Sequence, residues 1–366
     1  MGFKLIKQIS QFYRNKKVLI TGHTGFKGSW LTIWLKSMGA EICGFSLAPP
    51  ETDNFFNLSG IEKSILSLTG DIRDFDAINN AVKDFTPDII IHLAAQALVK
   101  QSYKDPIETY STNIMGTVNL LEAARLNRNI KALVNVTSDK CYENQNWLWG
   151  YRESDPMGGY DPYSSSKGCS ELITSAYMRS FFSSDAMTKN FYTAVASARS
   201  GNVIGGGDFA ENRLIPDMVR AFSRKQRVHI RYPHATRPWQ HVLEPLAGYL
   251  LLALKLSKNG SQFDGAWNFG PKSEDNREVG YIVDKFASFM GDHHEWTMDT
   301  GKHPHEAGLL KLDCSKAQCL LGWETKLNVD QALEWTANWY KSFLNEPQNV
   351  LEVTEKQIKS YEILLK

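Results

Sequence analysis

The chain carries no surplus of charge. Its 366 residues hold 41 Lys and Arg against 40 Asp and Glu, a formal net charge of +1. General binding to nucleic acid or to a membrane surface needs a large excess of one sign, so neither is expected. There is no long hydrophobic run either. The strongest, Tyr249–Leu254, stops at Lys255 and is too short to cross a bilayer. Lys4 and Lys7 interrupt the N-terminal segment, which leaves it without a secretory apolar core, and Ile6 breaks the myristoylation pattern. Cysteine is sparse: five residues, at 43, 141, 169, 314 and 319, with no CxxC pair. That favours free thiols in a reducing compartment over a disulfide framework or a zinc site. His293 and His294, with His303, His305 and Glu306, are of metal-ligating types, but their spacing suits a loop and no metal is expected. Internal repeats and low-complexity tracts are lacking, and a soluble cytoplasmic protein is the expectation.

What is present reads as an ordinary globular chain, 42% hydrophobic and 22% charged. Its first half alternates short β-branched runs with longer helical patterns. Strands are predicted at Lys17–Thr21, Glu41–Phe45, Ser64–Leu68, Ile89–Leu93, Ala132–Thr137 and Tyr192–Ala198. Helices are predicted at Trp30–Met38, Phe75–Phe85, Ile107–Leu126 and Tyr163–Phe182. The strands are continuous apolar runs, as expected when helices cover both faces of a parallel sheet. Such alternation predicts a doubly wound α/β sheet of the Rossmann type. After about residue 200 the pattern changes. Gly205, Gly206 and Gly207 mark a loop, helices are predicted at Ile215–Arg224 and Leu243–Leu256, and short strands at Arg227–Arg231 and Ala266–Phe269. The organisation expected is an N-terminal extension (1–15, a short amphipathic helix), a dinucleotide-binding domain (16–204), and a smaller α/β lobe (205–366) interleaved with the last sheet strands. The late tryptophans and Trp239 are expected in the core.

Gly22, Gly25 and Gly28 stand between the first strand and the first helix, in Gly22-His23-Thr24-Gly25-Phe26-Lys27-Gly28. Gly22 permits a tight turn, Gly25 lets backbone N–H groups approach a pyrophosphate, and Gly28 lets the helix lie close. An anion then sits at the positive end of that helix. Asp71, after the third strand, suits either a bond from an adenine amino group or a turn cap. The end of the second strand, Gly44-Phe45-Ser46-Leu47, has neither an acid for a ribose hydroxyl nor an arginine for a 2′-phosphate, so local chemistry leaves NAD and NADP open.

Tyr163 and Lys167 share one face of a predicted helix. A nearby ammonium stabilises phenolate, so the Tyr163 pKa is expected to fall towards neutrality and the phenol to serve as a base. The fifth strand ends in Thr137-Ser138-Asp139-Lys140-Cys141-Tyr142. Ligands bind at the carboxyl ends of parallel strands, so a hydroxyl, a carboxylate and an amine there face one crevice, although a turn alone would also account for Asp139 and Lys140.

The glycine loop, the serine and YxxxK resemble the extended short-chain dehydrogenase/reductase superfamily. His92-Leu93-Ala94-Ala95-Gln96, Asn113 with Gly116 and Thr117, Asn202 and Leu321-Gly322-Trp323 extend the likeness over nearly the whole chain. Within it, residues 22–31, 137–142 and 237–245 resemble the CDP-glucose branch of the sugar-nucleotide 4,6-dehydratases. Where other dehydratases carry Thr-Asp-Glu this chain has Ser138, Asp139 and Lys140, a departure shared with that branch.

The resemblance implies a hydro-lyase with tightly bound, recycled NAD. CDP-D-glucose would become CDP-4-keto-6-deoxy-D-glucose plus water by C4 oxidation, C5/C6 elimination and hydride return to C6. It assigns Tyr163, Lys167 and Ser138 to the C4 step and Asp139 as the acid. Lys140 stands at the position of the C5 base, which demands a neutral amine; a charged Lys140 would instead stabilise an enolate. Cofactor contacts are implied for Gly22, Thr24, Gly25, Phe26, Lys27, Gly28, Asp71, Ile72, Leu93, Ala94, Ala95, Asn113, Tyr163 and Lys167. Substrate contacts are implied for Gln96, Ser138, Asn202, Arg213, Leu214 and Arg237, with Arg231 weaker. Lys302 falls where many relatives have arginine. The rival readings are a 4,6-dehydratase for another nucleotide sugar, a 4-epimerase, against which Asp139 and Lys140 argue, and a non-catalytic dinucleotide sensor. A deoxysugar for a cell-surface polysaccharide is the implied product. Relatives pair through the helices corresponding to Ile107–Leu126 and Tyr163–Phe182, so a homodimer or a tetramer of two dimers is implied.

Overall fold

In the computed structural model, residues 3–51, 53–182, 193–291, 296–301 and 308–366 are described. Seven strands form one parallel sheet: β1 (Lys17–Thr21), β2 (Glu41–Ser46), β3 (Leu66–Thr69), β4 (Ile89–His92), β5 (Ala132–Val136), β6 (Ala194–Ser200) and β7 (Gly265–Phe269). Their spatial order is β3-β2-β1-β4-β5-β6-β7, every neighbour parallel. The order reverses beside β1, between it and β4, which is the crevice where parallel sheets bind ligands. The doubly wound sheet is thus present, and the strand bounds differ from expectation by a residue or two. The start of the strand expected at Tyr192 lies outside the described residues.

Side-chain alternation assigns the two faces. Val18, Ile20, Ile89, Ile91, Val134 and Ala196 point into one core; Leu19, Ile90, Leu133 and Val195 point into the other. The first core is covered by α1 (Phe3–Tyr13), α2 (Phe26–Ser37) and, further along the chain, Leu243–Asn259. The second is covered by α3 (Phe75–Phe85), α4 (Gly116–Leu126) and α5 (Pro162–Phe181). α6 (Leu214–Ser223) follows, and the apolar helix Leu243–Asn259 is α7. The run Tyr249–Leu254 lies within α7 and is buried throughout, so its hydrophobicity serves the core. No described helix is long and apolar enough to cross a membrane. The amphipathic N-terminal helix packs on the body: Tyr13 donates to the Leu250 carbonyl at 2.9 Å.

Two expectations need correction. The single helix Ile107–Leu126 is instead Pro106–Tyr110, a π-helical turn at Ser111–Met115, and α4. The wider turn carries the buried Asn113, whose side chain is committed to a neighbouring loop. The first helix begins at Phe26 rather than Trp30, because Gly25 and Gly28 at its start hide the helical period. The Gly205–Gly207 loop has a packing reason. A Cβ at Gly206 would lie 1.9 Å from the Trp339 ring, and Trp30 Nε1 donates to the Gly206 carbonyl at 2.9 Å.

Beyond β6 the chain builds small paired strands over the carboxyl edge of the sheet. Val228–Ile230 pairs with Trp296–Met298, and Thr236–Pro238 pairs antiparallel with Asn276–Glu278. Between these segments β7 returns to the main sheet beside β6.

Candidate active site

One cavity of about 1090 Å³ runs along the carboxyl ends of β1 to β6. It exceeds what a single small ligand needs, so it has room for two molecules side by side. At one end, Gly22 adopts φ +75° and a Cβ there would come within 2.7 Å of Ala94 N. Gly28 is tighter still, with a Cβ 2.2 Å from the Gly22 carbonyl oxygen, so its close approach is to the glycine turn itself. Gly25 is the N-cap of α2 and makes no side-chain cap; a Cβ there would meet only Gly22 O, at 3.4 Å. The first N–H groups of α2 therefore face open cavity beside a residue with no side chain. That suits the pyrophosphate of a dinucleotide. Thr24 ties this loop to the end of β2 through Ser46 Oγ at 2.8 Å.

Asp71 and Ile72 line the same end, but the Asp71 carboxylate is engaged by Arg73, whose Nε lies 2.9 Å from Oδ2 and whose backbone N–H also donates. The turn role of Asp71 is therefore present, and the residue stays on the cavity wall. Leu93, Ala94 and Ala95 form the wall above β4. Asn113 does not reach the cavity. Its amide accepts from Gln96 N at 2.8 Å, donates to Gln96 O at 3.0 Å and to Ser166 Oγ at 2.8 Å. It braces the β4 loop against α5 from behind, because the π turn points it into the protein. Gln96 lines the cavity with its side chain folded onto Leu98 and Thr109.

At the other end the reactive cluster comes together. Ser138 caps the short turn Asp139–Cys141, and its Oγ is 3.1 Å from Asp139 Oδ1. Tyr163 sits in the first turn of α5, which Asp161 caps at Ser164 N, 2.9 Å away. Lys140, Lys167, Asn202, Arg213, Leu214, Arg231 and Arg237 line the same space. Arg213 pairs with Asp208 at 2.8 Å, and Arg237 donates to the Thr236 and Gly308 carbonyls. Trp239 is buried and also lines the cavity.

The expected acid-shifted phenol is not observed. Burial pushes Tyr163 up to about 12, with Asp139 adding to the rise; a hydrogen bond with Ser138 and the charge of Arg213 oppose it. Lys167 instead spends its buried amine on the Val136 carbonyl at 3.4 Å, and burial lowers it to about 8. Burial raises Asp139 against the charges of Lys140, Arg237 and Lys27, and its Oδ2 has no hydrogen-bond partner. A protonated carboxyl in that place is a proton donor.

A supporting network lies beneath. Glu171, one turn beyond Lys167 on α5, accepts from Arg199 at 2.8 Å, from Ser197 at 2.6 Å and from Thr137. Arg199 also donates to Tyr142, which donates to Asn268 of β7 at 2.7 Å. Neither Glu171 nor Arg199 was anticipated as part of the site. An arginine in the small-residue strand Ala194–Ser200 was the available signal. The histidine clusters at 293–294 and 303–305, and Lys302, lie outside the described residues; among the described residues no group of potential ligands could hold a metal.

The profile of the GDP-mannose 4,6 dehydratase family matches residues 19–336. The chain belongs to this family. A relative in the family, the CDP-glucose 4,6-dehydratase of Salmonella typhimurium strain LT2, is 50% identical over 350 residues, covering 96% of this chain and 97% of its own length. A probable dTDP-glucose 4,6-dehydratase of Sinorhizobium fredii is 28% identical over 88% of this chain and 92% of its own. The family fold is shared with DesIV, a dTDP-glucose 4,6-dehydratase from Streptomyces venezuelae solved with NAD, at a TM-score of 0.76 and 22% identity, covering 91% of this chain and 99% of that one. It is also shared with the epimerase Mth375 of Methanothermobacter thermautotrophicus, at a TM-score of 0.79 and 22% identity over 95% and 99%.

Proposed function

We propose that this protein is an NAD-dependent CDP-glucose 4,6-dehydratase that yields CDP-4-keto-6-deoxyglucose and water. The observation that carries the reading is the Ser138-Asp139-Lys140 turn, set in one cavity with Tyr163 and Lys167. The 50% identity to the Salmonella CDP-glucose enzyme over nearly the full length of both chains supports the choice of base. Bound NAD supplies the hydride acceptor, and the return of that hydride makes the reaction redox neutral.

The chain's residues do the rest. Tyr163 and Ser138 hold the C4 hydroxyl, and Tyr163 takes its proton. Its raised pKa means that the phenolate must be favoured by charge that the bound ligands bring. A ketone at C4 acidifies C5–H, and Lys140 removes that proton. Asp139, whose carboxyl burial shifts towards the protonated form, gives its proton to the departing C6 hydroxyl. Arg213 and Arg237, with Asn202, hold the substrate diphosphate, since a guanidinium fork matches two phosphate oxygens. On this reading residues 16–204 bind mainly the dinucleotide and 205–366 mainly the sugar nucleotide.

The same reading includes a cytoplasmic homodimer, or a pair of dimers, joined through the helices around Ile107, Met115, Leu126 and Leu172. These apolar residues are all exposed. A monomeric mass by light scattering at working concentration contradicts it.

The test is mass spectrometry after incubation with NAD+ in heavy water and, separately, CDP-glucose, dTDP-glucose, UDP-glucose and GDP-mannose. Loss of water from CDP-glucose alone, with one deuterium at C5, is the expected result. Water loss from a different sugar nucleotide moves the substrate, and a new stereoisomer without loss of mass replaces the dehydratase by an epimerase. Lys140→Ala that still exchanges C5–H at the normal rate removes Lys140 as base.

A further inference from the structure

Lys27 belongs to the glycine loop by its backbone, but its side chain leaves that loop for the reactive end of the cavity. The amine donates to Ser200 Oγ at 2.8 Å, at the end of β6. Tyr249 of α7 donates to the same hydroxyl at 2.9 Å, and the Lys27 amine lies 6.0 Å from the Tyr249 ring centre. Residue 201 follows, and a Cβ on Gly201 would stand 3.0 Å from Asp139 Oδ2. Lys27, Ser200, Gly201 and Asp139 therefore form one continuous wall. The carboxylate oxygen at its end is buried and has no hydrogen-bond partner.

A carboxylic acid that gives up its proton in a buried site leaves a charge that water cannot solvate, and a fixed cation nearby lowers that cost. We propose that Lys27 is a positioning residue for the elimination step: its ammonium, held on Ser200, stabilises the Asp139 carboxylate left when the proton passes to the departing hydroxyl. In that step the Asp139 O–H bond breaks and a new O–H bond forms on the leaving oxygen. The C6–O bond breaks, water departs, and the electrons from C5–H become the C5–C6 double bond. The inference rests on the dehydratase reading above.

The charges around the amine make its state sensitive to pH. Burial, helped by the charges of Arg213 and Lys167 and opposed by those of Asp139 and Asp208, lowers Lys27 to about 7. The ammonium is present below that region and lost above it. Assistance to the elimination therefore declines as pH rises.

The experiment uses full-length wild type, Lys27→Met and Lys27→Arg, each with NAD+ and CDP-glucose in heavy water over a range of pH. Water loss and C5 deuterium in recovered CDP-glucose are read together. Lys27→Met is expected to lose water about tenfold more slowly while recovered substrate gains deuterium, because only the acid step is weakened. Lys27→Arg is expected to keep water loss and to lose the alkaline decline of wild type, since a guanidinium stays charged. Equal slowing of exchange and water loss in Lys27→Met, or an NAD+ affinity weakened enough to explain its rate, overturns the inference. If Lys27→Met does not fold, an alkaline decline retained in Lys27→Arg overturns it. A wild type that removes no water from CDP-glucose overturns the dehydratase reading and this inference with it. A wild type that does so, with an unchanged partition in Lys27→Met, overturns this inference alone.

Discussion

Arg199 of β6 and Glu171 of α5 meet at 2.8 Å beneath the Thr137–Tyr142 turn, and both side chains are almost wholly buried. Burial alone would raise the Glu171 carboxyl, but the charge of Arg199 and bonds from Arg199, Ser197 and Thr137 hold it below its ordinary value. Glu171→Gln leaves an uncompensated guanidinium in the core. A loss of about 3–5 kcal/mol is expected in denaturant unfolding, with a smaller loss when Glu171 and Arg199 are both replaced by Met. A single variant as stable as wild type contradicts this.

The glycine loop separates folding from binding. Gly28→Ala places a Cβ 2.2 Å from a backbone oxygen, so the melting temperature is expected to drop and dinucleotide binding to go with it. Gly25→Ala meets only one atom, at 3.4 Å, and is expected to melt with wild type. On the proposed reading its methyl group crowds the pyrophosphate, so affinity for NAD+ is expected to fall by about tenfold or more, equivalent to the loss of a charge-assisted hydrogen bond. Calorimetric titration of both variants checks the contrast.

Asn113→Ala removes three hydrogen bonds that join Gln96 to Ser166 without touching the cavity. The expected cost is about 1–3 kcal/mol of stability, since Gln96 N and O lose a buried partner. Faster hydrogen exchange at the β4 loop is expected with it; unchanged exchange there contradicts the bracing role.

Glu244 is buried on α7 and accepts from Lys326 N, Leu327 N and Tyr361 OH. Burial raises it from 4.5 to about 7, in spite of those bonds. The folded state thus binds this proton more tightly than the unfolded one. The stability this contributes is complete below about pH 4.5 and is lost as pH rises to about 7. Glu244→Gln is expected to flatten that part of the pH dependence in thermal melts made at acid and mildly alkaline pH. A variant with the wild-type slope rules Glu244 out as its source.

Much of the fold was legible along the chain. Apolar runs such as Ile89–His92 announce strands buried on both faces, and glycine spacing announces the loop before α2. The break in the helix around Ser111–Met115 was not legible. It depends on where Gln96 lies across the chain, and periodicity carries no information about that. For Asp71 the sequence left two roles open, and the turn with Arg73 became visible only in the folded chain.

The sequence by itself determined the parallel sheet, the glycine turn at Gly22 and the residue types gathered around Ser138 and Tyr163, because these follow from local spacing and side-chain chemistry. Only the tertiary structure decided their electrostatics. The phenol of Tyr163 rises rather than falls because burial outweighs the charges near it, while the Lys167 amine is committed to the Val136 carbonyl. The Lys27 amine meets Ser200 across the sheet. Desolvation and distance between remote segments set a pKa, and neither exists until the chain has folded.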